Sequence, residues 1–119
     1  MTLDEIDAHC RGLPACEVRY PFESAPHLRA WCIGRRMFAW SATNDAPLTV
    51  QVKAHPDLVP SLIGNYACVS PGYHMNKRHW ITIEAPMCDD VMLCGLLEDA
   101  HNLVATALPR AQRLRLLGD

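Results

Sequence analysis

LRAWCIGRRMFAWS, residues 28–41, is the stretch that decides the fold. Two runs rich in aromatic and aliphatic side chains, residues 28–33 and 36–41, flank the pair Gly34-Arg35. Such runs favour strands because bulky side chains pack well on a pleated surface. A glycine at the first central position of a two-residue loop suits the turns whose twist matches a hairpin. The segment therefore reads as a β-hairpin whose tip projects Arg35 and Arg36.

Working outward, Asn44-Asp45-Ala46-Pro47 makes the next turn. Leu48, Val50 and Val52 then alternate with Thr49, Gln51 and Lys53, the period of a half-buried strand with Lys53 on its solvent face. Three antiparallel strands in succession make a meander. Upstream, residues 17–20 form a short strand candidate closed by Pro21. Before it, Thr2 and Glu5 have the spacing of a capping box, and Leu3, Ile6, Cys10 and Leu13 recur at helical spacing. That predicts an amphipathic helix over 3–12, stopped by Gly12 and Pro14.

Downstream, Pro56 suits the first turn of a helix over 56–65, while Pro60 is a misfit that distorts that helix or delays its start. Residues 80–84 alternate as a strand. Asp89 caps a helix over 89–108, in which Leu93, Leu96, Leu97, Ala100, Leu103 and Val104 keep the 3.6 period and His101 lies off the stripe. Residues 110–119 are a basic tail, frayed or folded as a short helix. The whole, 1–119, reads as one α+β domain: a two-layer sandwich of an antiparallel β-sheet with helices mainly on one face.

Half of the 119 residues are apolar, enough for a core without metal or disulfide staples. No apolar run approaches the roughly 18 residues of a membrane span, and no basic-then-apolar leader opens the sequence. The expectation is a cytoplasmic protein with no membrane partner. The six cysteines, Cys10, Cys16, Cys32, Cys68, Cys88 and Cys94, contain no C-x-x-C pair and read as small buried hydrophobes. His74 and His79 are five apart with no carboxylate beside them, a poor set for a metal. Nucleophile-elbow, phosphate-loop and dinucleotide-glycine patterns are absent. The chain is expected to be no enzyme and to carry no cofactor.

Charge is uneven. The net value of −2 counts against a strong nucleic-acid binder. Yet residues 34–79 carry Arg35, Arg36, Lys53, Lys77 and Arg78 against Asp45 and Asp57, whereas residues 80–109 hold five acids and no Lys or Arg. Three arginines and one acid follow in 110–119.

PGYHMNKRHW, residues 71–80, is the densest polar and aromatic cluster, opened by a Pro-Gly turn signal. It reads as an exposed loop entering a strand at Trp80. Lys77 and Arg78 could meet phosphates, and His74, Asn76 and Trp80 could shape or extend a base-contacting site, with Arg35, Arg36 and Lys53 adding charge. The plainer reading is that Tyr73 and Trp80 are core aromatics and Asn76 holds its own turn. Two other classes stay open. The loop could close a pocket for a small anionic ligand or peptide against Trp31, Phe38 or Trp40, or the open sheet face could serve a protein-interaction adaptor.

PGYHMNKRHW also resembles the signature of the MmcQ/YjbR family of small bacterial proteins. LPACEVRYPFE (13–23), CIGRRMFAW (32–40) and VKAHPDLVPSL (52–62) are similar to further family segments. The resemblance implies a frataxin-like (CyaY-like) sandwich and a DNA-binding role through a double-wing motif, whose wings here would be the 34–36 hairpin and the 71–80 loop.

Overall fold

The computed structural model describes residues 1–118. Its elements run α1 (Leu3–Arg11), β1 (Cys16–Arg19), β2 (Leu28–Ile33), β3 (Arg36–Ala42), β4 (Thr49–Lys53), α2 (Val59–Asn65), β5 (Val69–Pro71), β6 (Trp80–Glu84), a 3₁₀ turn (Ala85–Met87), α3 (Asp90–Ala107) and α4 (Arg110–Leu117). The six strands form one antiparallel sheet in the order β1-β2-β3-β4-β6-β5. The expected α+β class is the one observed, and the meander extends to four strands.

The hairpin at 28–41 is the centre of that meander. Gly34 has φ 61°, in the left-handed range that glycine adopts without a Cβ penalty, so a two-residue turn closes the strands. Pairing runs Trp31 to Ala39 and then Cys32 to Met37, so Phe38 is the extra residue of a bulge. This irregularity lets Trp31, Ile33, Phe38 and Ala39 all join the core.

One face of the sheet carries Val50, Val52, Ile81 and Ile83 beside those four, and it packs on Ile6 and Cys10 of α1 and Leu93, Leu97 and Val104 of α3. Fully burying each of the larger side chains contributes roughly 1.5–3 kcal/mol relative to exposure. Trp31 keeps its polar end satisfied: Nε1 donates to Asp7 Oδ1 at 2.9 Å. Asp7 also accepts from Arg11 Nε at 2.7 Å and lies 3.6 Å from Arg29. Burial raises the Asp7 carboxyl, but the hydrogen bonds from Trp31 and Arg11 and the charges of Arg11 and Arg29 hold it, on balance, below its usual range.

The helix starts follow local chemistry. Thr2 and Glu5 make both bonds of the capping box, and the Asp89 side chain accepts from Met92 N. The helix expected over 56–65 begins only at Val59, which puts Pro60 in the first turn where its missing N–H costs no bond. β5 had no counterpart in the sequence reading. It is three residues long on the sheet edge, where Pro71 is tolerated. His101 is a correction: it is 4 % exposed, its Nε2 lies 2.7 Å from the Pro14 carbonyl, and its ring meets Phe38 edge-on. Residues 110–117 are a helix, with Leu116 and Leu117 packed against the core.

Four cysteines are buried and two half-buried, all with free thiols. Burial pushes Cys32 up to about 11; burial, aided by a hydrogen bond with Cys68, pushes Cys88 to about 12. Such thiols are held protonated and poor as nucleophiles. Among the described residues no three His, Cys, Asp or Glu side chains converge as a metal set, and no helix is long and apolar enough to cross a membrane.

Candidate functional site

Strand directions bring the expected residues to one end of the sheet. The β2–β3 turn at 34–35, the last residue of β4 (Lys53) and the loop of residues 72–79 between β5 and β6 all lie there. The two connections are separated by three strand spacings, roughly 14 Å.

The 72–79 loop does not stand out from the sheet as a simple wing. Gly72 lies so close over Trp80 that an added Cβ would sit 2.9 Å from the Trp80 Cβ. Tyr73 N donates to Gln51 Oε1 at 2.9 Å, and the same oxygen accepts from Thr82 Oγ1 at 2.9 Å. Gln51 is 3 % exposed, so this buried amide ties the loop to β4 and β6. Asn76 Oδ1 accepts from Arg78 N at 2.9 Å, the local turn bond that asparagine favours. Lys77 Nζ donates to the Gly72 carbonyl at 2.8 Å, bracing the loop across its base. His74 has φ 56°, and its ring lies 4.0 Å from that of Tyr73.

The sequence-designated residues therefore divide. Trp80 is 7 % exposed and lies under Gly72, so it is a packed residue and not a contact surface. Lys77 and Asn76 hold the loop. Lys53 is half-buried, and with His55, Leu58, Leu62 and Asp99 it lines a cleft of about 350 Å³ between α2 and α3. Arg35 and Arg78 are exposed, and their guanidinium groups bond no described residue; Arg36 is exposed and reaches the Ala107 carbonyl at 3.5 Å. His74 reaches over the sheet face opposite the helices.

The sequence reading missed two contributors. α4 docks on the hairpin: Gly34 lies against Gln112 and Leu116, and Arg113 reaches the Thr106 carbonyl at 3.5 Å. Arg113 and Arg36 thus reach neighbouring carbonyls at the end of α3, while Arg110 and Arg115 are exposed on other sides of α4. From the other side, Arg19 Nε donates to the Gly34 carbonyl at 2.7 Å while its other end pairs with Glu17. The excess of arginines in 110–119 was the signal available; their location was not.

On the open face, the loop roofs a hollow of about 280 Å³ lined by Pro21, Phe22, Leu28, Met37, Trp40 and Met75, with His74 at its edge. Of the three aromatics weighed as a pocket wall, Trp40 takes that place, and Trp31 and Phe38 belong to the helix-side core. A second hollow of about 370 Å³ continues past Trp40 and His74 toward Thr49, Gln51 and Tyr73.

Known proteins resemble this arrangement along most of the chain. The YjbR family model matches residues 11–103. The Escherichia coli O157:H7 protein YbdF is 31 % identical over 107 residues, covering 87 % of this chain and 84 % of its own length. Among solved structures, Deinococcus radiodurans protein DR2400, of the DUF419 domain, superposes with a TM-score of 0.88 at 27 % identity, over 97 % of this chain and 87 % of its own. A Pseudomonas syringae protein shares the fold with a TM-score of 0.76 at 22 % identity, over 87 % of this chain and 99 % of its own. On the family match and on the relative that it parallels over most of both lengths, the chain belongs to the YjbR family.

Proposed function

We propose that this protein is a non-catalytic module that binds DNA weakly through the arginine-rich end of its sheet. The observation that supports this reading most strongly is the docking of α4 against the β2–β3 turn, which adds the arginines of α4 to the end of the sheet that carries Arg35 and Arg36. Like charges held together raise the local potential and attract a polyanion, and each phosphate neutralised releases counterions. Arg36 and Arg113 reach backbone carbonyls at the end of α3, a favourable place for cations, so part of the cluster also caps that helix. Arg35, Arg110 and Arg115 are exposed, and Arg78 adds a charge from the second connection. The two connections would act as the double wing, with the arginines meeting backbone phosphates. An overall charge of −2 keeps the affinity modest.

A salt titration of binding to labelled double-stranded and single-stranded DNA tests this. Affinity should fall steeply and log-linearly with salt, and Arg35→Ala/Arg110→Ala should lower the slope by about two contacts with folding intact. Absence of binding at about 50 mM salt, where counterion release favours it most, would sink the reading. Equal binding of a short polyanion would reassign the arginines to a compact anionic ligand.

A further inference from the structure

We propose that the hollow beneath the 72–79 loop is a binding site for a flat heteroaromatic ring bearing a hydrogen-bond acceptor. Three observations carry this. The walls are largely apolar: Phe22 and Trp40 supply aromatic surface, Leu28, Met37 and Met75 fill the sides, Arg29 is the charged residue of the lining, and His74 stands at the edge. The size fits, because about 280 Å³ is nearly twice the roughly 150 Å³ cavity that admits a single benzene ring, which leaves room for a fused bicycle. The polar group is unpartnered: the Trp40 indole N–H is buried and has no acceptor among the described residues.

An unpaired buried donor is uncommon in native proteins and carries a full desolvation penalty. Trp40 sits between the two hollows of the open face, and the residues that enclose both include His74. His74 is held with φ 56° on a loop fixed to the sheet by the Gln51 bond at Tyr73 and by Lys77 at the base. A small outward shift of His74 and Met75 would let a ring slide between Phe22 and Trp40 and bring its acceptor to the indole N–H. Stacking on aromatic side chains tolerates many rings, and the N–H selects those with a ring nitrogen or carbonyl at the edge. Such a ring is offered either by a free small molecule or by an unstacked base of a single strand. The site is distinct from the arginine cluster, so it stands or falls independently of duplex binding.

The experiment is a titration of ¹⁵N-labelled full-length protein with adenosine and, separately, with a short oligodeoxyadenylate. The three indole N–H signals are assigned with Trp40→Phe. Adenosine should shift the Trp40 signal saturably at about 1 mM or below, the range of a weak small ligand, and leave Trp31 and Trp80 in place. Phe22→Ala, at a residue 58 % exposed in the fold, should weaken that binding about five- to tenfold. Arg35→Ala/Arg110→Ala should leave it unchanged. Tighter binding of the oligonucleotide with the same Trp40 shift assigns the ring to a nucleic-acid strand, and adenosine binding without it assigns a free ligand. A Trp40 signal unmoved by both, or an affinity indifferent to Phe22→Ala, would overturn the site.

Discussion

The two connections at one end of the sheet use their polar side chains in opposite ways. The β2–β3 turn has two residues, and Arg35 points away from the protein. The β5–β6 connection has eight, and Lys77, Asn76 and the Tyr73 amide are turned back into hydrogen bonds with the protein. Length explains the difference. A primed two-residue turn is held by the pairing of its strands, so its side chains have no structural task. A longer loop has backbone donors and acceptors that must find partners, and nearby polar side chains supply them. Polar residues crowded into a loop are thus as much a sign of self-bracing as of contact with a partner.

The two glycines, Gly72 and Gly34, carry the largest expected effects. Gly72→Ala would set a Cβ 2.9 Å from the Trp80 Cβ and 3.0 Å from its carbonyl oxygen, in backbone that cannot yield. A loss of about 2–3 kcal/mol in urea unfolding is expected from such overpacking. Gly34→Ala meets the flexible ends of Gln112 and Leu116 at 3.2 and 3.4 Å but pays for φ 61°, a loss of about 1 kcal/mol. A larger loss at Gly34 would show that conformation, and not space, separates the two turns.

The hairpin also leans on α1, where Asp7 accepts from Trp31 and Arg11. Asp7→Asn should cost about 1–2 kcal/mol near neutral pH. Because the folded carboxyl titrates below its unfolded value, this contribution is complete above about pH 4 and disappears as pH falls through the folded value. Unfolding curves of the two proteins should converge once pH falls below the folded value. A gap that persists there would assign the effect to geometry instead of charge.

The smallest effects divide the adjacent cations of the loop. Lys77→Ala should lower stability by about 1 kcal/mol and speed amide exchange at Tyr73, whereas Arg78→Ala should change stability by less than about 0.5 kcal/mol. In the DNA salt titration the order should reverse, with Arg78→Ala lowering the slope and Lys77→Ala leaving it nearly unchanged.

Much of the fold is legible because it rests on local periodicity. The 28–41 hairpin, the alternation of β4 and β6, the capping box of α1 and the stripe of α3 each follow from residues close in sequence. β5 was not legible: three residues show no period, and its partner strand lies beyond the loop. His101 sits off the aliphatic stripe in type but not in position, since Pro14 and Phe38 satisfy it from distant segments. The site was legible as a set of charges and aromatics but not as directions. Whether Lys77 faces a phosphate or Gly72, and whether Trp80 faces solvent or core, depends on how the chain closes over β4, where the Tyr73 amide meets an acceptor 22 residues away. The position of Arg110, Arg113 and Arg115 depends on a docking of α4 that no local pattern encodes.

That docking also sets an order of events during synthesis. The chain emerges from its N-terminus, and α4 follows all six strands, so the sheet can pair and its open-face hollow can form while the last arginines are still to come. The contact of Gly34 with Gln112 and Leu116 closes one of the longest loops in the chain, which makes it slow to form in entropic terms. The sheet can thereby be paired before α4 seats against the tip of its central hairpin.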